Sequence, residues 1–496
     1  MSLLPFPNFV KQLPVGDTDR AALTAVGKCR IDPSSYPQFL ADYQAIVETT
    51  SLQAQHTTTE STTNKNDKVL CKQYMKQSIA QASHYLRDKL QLDVSMCKVQ
   101  VVVSMSDIIL TQACIATCFL NAGCDTIIVR VPKTATSDDP TTQSLLDIVA
   151  THVPANRIGW QLASSRILNV PTLVPRIQSL SNHATTVSIS VPPNANAVQE
   201  LLQQLAQEQV TVSLILELDP HETQPDNNTN TTTMEEEPDG TVQEDWLEVT
   251  KVVMTSGYQV ALQDPTADQL AKAIFASCLK SDRPDGLVTT VVTTRHGVAL
   301  GLVYSNQQSM TEALKCGRGV YYSRSRQGLW RKGDTSGHVQ ILHRFDVDCD
   351  GDALRCMVTQ CVPEASNEAP AFCHLNTLTC WGRPVGLLHL QETLQERLHD
   401  APEGSYTQRL FQDSQLLRDK LVEEAQELSE ATSKEDVAGE LADVLYFSMV
   451  RAVQAGVTID DAVAVLDARA AKVTRRQGDS KAERIEAAKE ILQKKE

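Results

Sequence analysis

Residues 337–362 read GHVQILHRFDVDCDGDALRCMVTQCV, two β-branched runs around a centre rich in aspartate. Four aspartates occupy every second position around one cysteine: Asp346, Asp348, Asp350 and Asp352, with Cys349. Carboxylates held this close repel one another, and a bound cation would offset that cost. The stretch therefore predicts a cation site within a β-rich segment.

Three interpretations of these aspartates remain open. An EF-hand loop begins D-x-D-x-D-G, and Gly351 fits its sixth position, but Met357 replaces the glutamate of the twelfth and the flanks predict strands rather than helices. On a strand, alternation would place the aspartates on one face and Cys349 on the other. That arrangement suggests a hard cation on the carboxylates and a softer metal on the thiolate. The third interpretation is a solvated acidic edge strand.

The composition restricts the class of protein. A chain of 496 residues is expected to form several domains, and a net charge of −16 argues against nucleic acid or an acidic membrane as the main partner. No stretch approaches the ~20 apolar residues of a membrane span, and no secretory signal is visible. Thirteen cysteines without a regular framework indicate a reducing compartment, so we expect a cytoplasmic protein.

Strand-like runs recur through the first 280 residues, with helix-like runs between them. They lie at 99–105, 125–131, 157–162, 185–191, 210–218 and 258–263. This alternation predicts a parallel, barrel-like α/β domain. Two polar segments, 55–68 and 221–245, interrupt the pattern and are expected to be disordered insertions. No motif in this half indicates a function.

The pattern then changes twice. Short β-rich runs joined by turn residues predict a mostly-β domain over 281–384, and helical periodicity predicts an all-α domain over 385–496. The chain is therefore expected to be multidomain, with the α/β domain over 1–280.

The segment GRGVYYSRSRQGLWRKGDTSGH (317–338) concentrates groups that bind phosphate. Its glycines permit the backbone to approach a ligand closely. The alternative interpretation of the segment is a solvated basic loop. The candidate substrate contacts are Arg324, Arg326, Lys332, Thr335 and Ser336.

Two cysteines follow in AFCHLNTLTC (371–380). Together with Cys349, Cys373 and Cys380 offer three thiolates, and three protein ligands with an open position are typical of catalytic zinc. A closed structural site would need a fourth ligand, from Cys356 or Cys361. His374 is a candidate general acid or base, although a lone histidine is more often structural.

These motifs, with RPDGLVTT (283–290) before them, occur in the order found in the phosphoribosyl-AMP cyclohydrolases of histidine biosynthesis, which this region resembles. The resemblance implies that magnesium binds to Asp348, Asp350 and Asp352, and that zinc binds to Cys349, Cys373 and Cys380. Asp346 lies outside the motif. The resemblance further implies a homodimer that shares the zinc site, and hydrolytic opening of the adenine ring by a zinc-activated water.

The helical region contains DKLVEEAQELSE and DVAGELADVLYF, which set carboxylates at helical spacing. Glu424 and Glu427 are i,i+3 neighbours, as are Glu440 and Asp443, so each pair projects from one helix face. Two such helices side by side would surround a hard cation with carboxylates. A solvated acidic face is the alternative, and the amphipathic pattern of both helices argues against it.

This combination resembles phosphoribosyl-ATP pyrophosphohydrolase and, more loosely, the MazG-like all-α pyrophosphatases; PEGSYTQRLF (402–411) favours the former. The resemblance implies release of pyrophosphate from phosphoribosyl-ATP, with Glu423 orienting the attacking water. The implied magnesium ligands are Glu424, Glu427, Glu440 and Asp443. The candidate substrate contacts are Arg397, Ser405, Tyr406, Arg409 and Lys420.

The order of the two resemblances is that of the fungal trifunctional histidine-biosynthesis proteins, without their histidinol dehydrogenase domain. We therefore expect a bifunctional enzyme for the second and third steps, with zinc and magnesium as cofactors and phosphorylated nucleotides as substrates. Over 1–280 a faint likeness suggests a degenerate relative of the barrel isomerase of the same pathway. The alternatives are a scaffolding protein with decayed domains and a general nucleotide pyrophosphatase.

Overall fold

The first region of the computed structural model is a closed barrel of eight parallel strands. Each strand pairs with its successor, and the first strand also pairs with the last. The strands are β1 (Phe9–Gln12), β2 (Lys28–Ile31), β3 (Lys98–Ser104), β4 (Thr126–Val131), β5 (Ile158–Leu162), β6 (Thr186–Ser190), β7 (Ser213–Leu218) and β8 (Gln259–Gln263). The structure describes residues 9–12, 28–31, 37–58, 65–89, 98–111, 114–131, 153–162, 170–181, 186–210, 213–218, 245–263, 265–362 and 370–474.

The prediction of a parallel, barrel-like domain is confirmed, and β3 to β8 coincide with the six predicted strands. β1 and β2 were not predicted. Each spans four residues, FVKQ and KCRI, and mixes apolar with charged side chains. Such short runs carry no period long enough to distinguish a strand from a loop.

Helices lie between the strands of the barrel. They are α1 (Pro37–Thr58), α2 (Lys65–His84), α3 (Met105–Thr111), α4 (Cys114–Asn121), α5 (Val170–Ser181), α6 (Ala195–Gln207), α7 (Asp245–Thr255) and α8 (Ala267–Ser277). A π-helical turn over Tyr85–Lys89 follows α2, and a 3₁₀ turn over Ala155–Arg157 precedes β5.

The expected insertion at 55–68 is wrong at both ends, because 55–58 belong to α1 and 65–68 to α2. The two helices are held by burial of apolar side chains in one core, including Tyr43 and Ile46 from α1. Such packing supplies most of the stability of helices in proteins. The expected insertion at 221–245 lies outside the described residues, except that Asp245 begins α7.

Buried charge crosses the interior of the barrel. Arg30 of β2 forms an ion pair with Glu217 of β7, and these strands are not neighbours, so the pair spans the barrel. Ser188 and Ser190 donate to the Glu217 carboxylate at 2.6 and 2.8 Å, and Gln161 donates at 2.9 Å. Burial alone would raise the pKa of Glu217, but the charge of Arg30 and these hydrogen bonds outweigh it and lower the pKa.

We predict that Glu217→Gln destabilises the barrel by about 3–5 kcal/mol, because it leaves the Arg30 guanidinium buried without a counter-charge. Since the folded-state pKa lies below the unfolded value, this stabilisation is complete above the unfolded pKa and is lost as the pH falls through the folded pKa. The difference in the free energy of unfolding between Glu217→Gln and the wild type should therefore decrease below about pH 4. Urea denaturation at several pH values measures it.

Glu208→Gln is the matched control, because Glu208 is exposed at the end of α6 and accepts a 3.3 Å hydrogen bond from Gln178. Its free energy of unfolding should stay within about 0.5 kcal/mol of the wild type. Equal changes in the free energy of unfolding for the two substitutions would show that the ion pair does not stabilise the barrel.

The second region is mostly β, as predicted. A four-stranded sheet of order β10-β9-β14-β13 packs with a β11–β12 hairpin. The strands are β9 (Val288–Thr293), β10 (Ala299–Ser305), β11 (Val320–Ser323), β12 (Gly328–Arg331), β13 (Gln340–Val347) and β14 (Ala353–Gln360).

One helix in this region, α9 (Gln307–Cys316), was not predicted. It begins with a capping box between Asn306 and Ser309 and ends at Gly317, which has a φ of 64°. These two signals were readable in the sequence, but the run between them is short and polar.

The third region is all-helical, as predicted. Its helices are α10 (Leu387–Asp400), α11 (Tyr406–Gln412), α12 (Ser414–Glu430), α13 (Lys434–Gln454) and α14 (Ile459–Ala470). Leu394, Leu410, Leu417, Phe447 and Val450 form much of its buried core. None of the described helices combines the length and apolar character that crossing a bilayer requires.

The three regions contact one another. Lys280 donates its backbone N–H to the Gly351 carbonyl at 2.7 Å, and His296 lies 3.1 Å from Asp460 of α14. At the end of the helical region, the Asn121 side chain accepts from the backbone N–H groups of Val473 and Thr474 at 3.0 and 3.2 Å. The last described residues are thus anchored to the barrel.

Candidate functional site

The aspartate motif forms the connection between β13 and β14 rather than part of a strand. Val347 pairs with Leu354, and the chain turns between them. The prediction that alternating strand faces separate the aspartates from Cys349 is therefore wrong. The turn is set by the Asp348 carboxylate, which accepts the N–H groups of Gly351 and Ala353 at 3.0 and 3.2 Å. Such short-range bonds compete with strand geometry.

Gly351 lets this hairpin close against the segment before β9. Its φ of +87° is in the left-handed region, and a Cβ there would lie 2.4 Å from the Cys278 carbonyl oxygen. Any other residue would push the loop away from its support.

Three aspartates of the hairpin meet in space. Asp348, Asp350 and Asp352 each offer a carboxylate oxygen, and these atoms lie within 4.8 Å of one another. A hydrogen bond with Asp348 and the repulsion of its charge raise the pKa of Asp352. Asp346 is not part of this cluster, because its buried carboxylate pairs with Arg344 and Arg355 at 2.5 and 2.6 Å. An oxygen-only donor set of this kind fits a hard cation such as magnesium.

Cys373 and Cys380 also come together. A backbone N–H from Leu375 and hydrogen bonds that include one from the Cys380 thiol lower the pKa of Cys373. Burial and the charge of Cys373 raise the pKa of Cys380. His374 places Nδ1 3.8 Å from the Cys373 sulfur. The pair fits a thiophilic metal, with Cys373 the more readily ionised thiol.

Cys349 does not join this pair within one chain. It is exposed in the hairpin, and no group of three metal ligands in the described residues contains these cysteines. Cys356 is fully buried, which raises its pKa to about 12, and it contacts the Tyr321 hydroxyl at 3.7 Å. Cys361 contacts the Thr359 carbonyl at 3.8 Å. Burial in the core makes Cys356 unsuitable as a fourth ligand.

The basic segment divides into paired and unpaired cations. Arg318 forms a salt bridge with Asp334 at 2.8 Å, and Arg331 forms one with Glu312. In the described part of the chain, Arg324 and Arg326 form no such salt bridge; they lie in the exposed turn between β11 and β12. The candidates Thr335 and Ser336 are exposed in the following turn.

Lys332 belongs to the cysteine pair rather than to the exposed turn. Burial lowers its pKa, and the charges of Cys380 and Cys373 act in the opposite direction, which places the three groups together. Its Nζ lies 5.6 Å from the centre of the Phe372 ring.

An open pocket of about 500 Å³ lies beside the exposed turn. It is lined by Val303, Tyr304, Tyr322, Ser323, Arg324, Ser325 and Trp330. The aromatic residues were missed in the sequence, although two of them flank the arginines in VYYSRSRQGLW. Interleaved aromatic and basic side chains were the available signal.

In the helical region, α12 and α13 bring three carboxylates together. Glu424, Glu427 and Glu440 each offer an oxygen within 4.8 Å of the others, and Glu424 is buried. Burial and the charges of the neighbouring glutamates raise the pKa of Glu427. Asp443 is exposed and stays outside this group.

Lys420 is held by the same cluster. Its Nζ lies 2.7 Å from Glu424 and 2.9 Å from Glu423, one turn farther along α12. These contacts raise the pKa of Lys420, chiefly through the hydrogen bond to Glu424. The ammonium therefore occupies a position where it compensates the buried carboxylate in part.

The predicted substrate contacts of PEGSYTQRLF have mixed roles. Ser405 is the N-cap of α11, where its hydroxyl accepts from Gln408, and Arg397 donates to the Thr407 hydroxyl at 3.2 Å. Tyr406 and Arg409 are exposed on α11. Tyr446, which contacts Thr407 at 2.9 Å, was missed.

Comparison with known proteins matches both regions. A family model for phosphoribosyl-AMP cyclohydrolase covers residues 301–382, and one for phosphoribosyl-ATP pyrophosphohydrolase covers 387–470. The histidine biosynthesis bifunctional protein of Schizosaccharomyces pombe is 50% identical over 219 residues, covering 44% of this chain and 50% of that protein. A histidine biosynthesis trifunctional protein of Kluyveromyces lactis is 51% identical over 206 residues, covering 41% of this chain and 25% of that protein.

The histidine biosynthesis bifunctional protein HisIE of Thermus thermophilus is 37% identical over 191 residues, covering 36% of this chain and 85% of that protein. The chain belongs to this bifunctional histidine-biosynthesis family. Both family resemblances inferred from the motifs are confirmed. The chain spans about half the length of the S. pombe relative. Members of these two enzyme families generally use metal ions, which fits the two carboxylate clusters.

We predict that Lys420→Met strengthens divalent-cation binding at the helical cluster about tenfold, because it removes a positive charge that competes for Glu424. Titration with Mn²⁺, followed by electron paramagnetic resonance, measures the affinity. The reference and the variant both carry Asp350→Asn and Asp352→Asn, which removes the other cluster.

Lys434→Met in the same background is the control, because Lys434 is exposed in the first turn of α13. It should bind Mn²⁺ as the reference does. Unchanged or weaker binding by Lys420→Met would show that Lys420 does not compete with the cation.

Proposed function

We propose that this chain is a bifunctional hydrolase of histidine biosynthesis, which converts phosphoribosyl-ATP to phosphoribosyl-AMP and then opens the adenine ring. The observation that carries the proposal is that each matched domain holds its own carboxylate cluster on its own structural support. The first product is the second substrate, so the two sites act in sequence. The intact clusters disfavour a decayed scaffolding protein.

In the proposed pyrophosphohydrolase site, Glu424, Glu427 and Glu440 would hold the cation, with magnesium the proposed ion. When bound, a hard cation neutralises phosphate charge and polarises the scissile linkage. Glu423 orients the water that attacks between the α and β phosphates. Lys420 then exchanges its carboxylate contacts for phosphate, and Arg397 and Arg409 are the further proposed phosphate contacts.

In the proposed cyclohydrolase site, Cys373 and Cys380 would supply two thiolates for zinc, and Asp348, Asp350 and Asp352 would hold magnesium. When bound, zinc supplies Lewis acidity toward water. His374, beside Cys373, is the proposed group that moves the proton during attack on the adenine ring. Lys332 beside both thiols adds positive charge to the same site.

A homodimer completes this zinc site in the proposal. Cys349 and Cys380 are both exposed, and Cys349 would reach the cysteine pair of a second copy. Exposed apolar side chains next to the cysteine pair support contact with a second copy of the chain, since Leu375 is 71% exposed and Trp381 is 61% exposed.

The domain boundaries at 280/281 and 384/385 remain proposals, and both family matches fall inside them. For the barrel we propose a degenerate relative of the barrel isomerase of the pathway; its hydrogen bonds to Val473 and Thr474 support a structural attachment to the helical region. A cytoplasmic location is supported by the free thiols of the described cysteines.

Cys373→Ser should reduce ring opening at least about 100-fold, because a serine hydroxyl does not replace an ionised thiol as a zinc ligand. Pyrophosphate release should stay near the wild-type rate. Both reactions are followed together after phosphoribosyl-ATP and magnesium are added. Cys361→Ser is the matched control and should change neither rate; equal loss of both activities in Cys373→Ser would refute separate sites.

Glu427→Gln should have the converse effect. It keeps the side-chain shape but removes one charge from the cation cluster, so pyrophosphate release should fall at least about 100-fold. Opening of supplied phosphoribosyl-AMP should be unchanged. Glu430→Gln, on the same helix and exposed, controls for loss of charge. Pyrophosphate release at the wild-type rate in Glu427→Gln would remove the cluster from the mechanism.

A further inference from the structure

Two guanidinium groups lie over one tyrosine ring in the β-rich region. The Arg324 Cζ is 4.0 Å from the centre of the Tyr304 ring, and the Arg283 Cζ is 4.6 Å from it. The arginines come from separate places, the segment before β9 and the turn after β11. Asp285 pairs with Arg283, so the positive charge over the ring that is left for an anionic ligand is that of Arg324.

Arg283 is fixed in place before any ligand binds. Asp285 accepts from its Nε and Nη2 at 2.9 and 2.7 Å, a two-point contact that orients the planar guanidinium. Asp285 is itself held by the backbone N–H of Leu287 at 3.2 Å. Arg324 forms no salt bridge within the described ranges, so its charge is left for a ligand.

The surroundings of Tyr304 fit a nucleotide. The open pocket offers the faces of Tyr322 and Trp330 for a flat base, and the hydroxyls of Ser323 and Ser325 for phosphate oxygens. A neutral aromatic platform beside the guanidinium of Arg324 is the chemistry that binds a phosphorylated purine.

The segment before β9 contacts the aspartate hairpin. Arg283 follows Lys280 by three residues in the chain. The Lys280–Gly351 hydrogen bond fastens the same segment to the hairpin. The segment that carries Arg283 is therefore attached to the loop that carries the predicted cation site.

We propose that Arg283 and Arg324, both stacked on Tyr304, form a clamp for a phosphate monoester of a purine nucleotide. The proposal rests on the proposed cyclohydrolase function and deepens it, because it adds Arg283 and Tyr304, which lie outside the basic segment, to the substrate contacts. Asp285 is a positioning residue that acts through Arg283.

The test compares AMP with adenosine by isothermal titration calorimetry, using the full chain treated with a chelator. The wild type should bind AMP about tenfold or more tightly than adenosine. Arg283→Gln and Arg324→Gln should each lower AMP affinity about tenfold and leave adenosine affinity unchanged. Tyr304→Phe keeps the ring and should retain the preference, whereas Tyr304→Leu should lose it.

Lys315→Gln is the charge control, because it removes one exposed cation at the end of α9 in the same region. It should bind AMP as the wild type does. The clamp is overturned by any of three results: wild type without measurable AMP binding, equal affinity for AMP and adenosine, or wild-type AMP affinity in Arg283→Gln.

Steady-state kinetics of ring opening separate this proposal from the proposed function. Arg283→Gln should raise KM for phosphoribosyl-AMP about tenfold with little change in kcat. If the wild type opens the ring and both arginine variants keep its KM, the clamp is wrong and the cyclohydrolase stands. If the AMP preference depends on both arginines but the wild type opens no ring, the clamp stands and the cyclohydrolase function is wrong.

Discussion

Both candidate cation sites depend on one constraint, which is that the fold holds carboxylates of like charge closer together than they would lie in a free chain. In the β-rich region, backbone N–H groups within the hairpin hold Asp348 in its turn. In the helical region, packing of two helices buries Glu424 and brings the other glutamates to it. This repulsion raises the free energy of the folded chain. A bound cation removes the repulsion, so cation binding is more favourable and also stabilises the fold.

The barrel shows the opposite use of buried charge. Glu217 is surrounded by Arg30 and by hydroxyl and amide donors, so its charge is compensated within the chain itself. A carboxylate whose charge is compensated within the chain stabilises the fold and gains little from binding a cation. A carboxylate that faces other carboxylates gains more, because the cation removes their repulsion. This contrast separates the barrel from the two regions matched to enzyme families.

The sequence predicted much of this architecture because long periodic runs determine strands and helices. Strands β3 to β8 and the helical region follow from such runs, while β1, β2 and α9 are short and mix polar with apolar residues. The helical residues 55–58 and 65–68 were not predicted, because the polar composition of 55–68 indicated an insertion. For the sites, helical spacing indicated Glu424, Glu427 and Glu440, but alternation misplaced the aspartates, because Asp348 bonds to its own turn. Arg283 and Tyr304 are 21 residues apart and no motif joins them.

The Asn121 side chain meets partners that lie 352 and 353 residues later in the chain. During translation, at roughly 5 to 20 residues per second, this amide leaves the ribosome about 20 to 70 seconds before Val473 and Thr474 do. Water occupies its hydrogen-bonding positions in that interval. The contact therefore forms only on a chain whose two enzyme regions have already been synthesised.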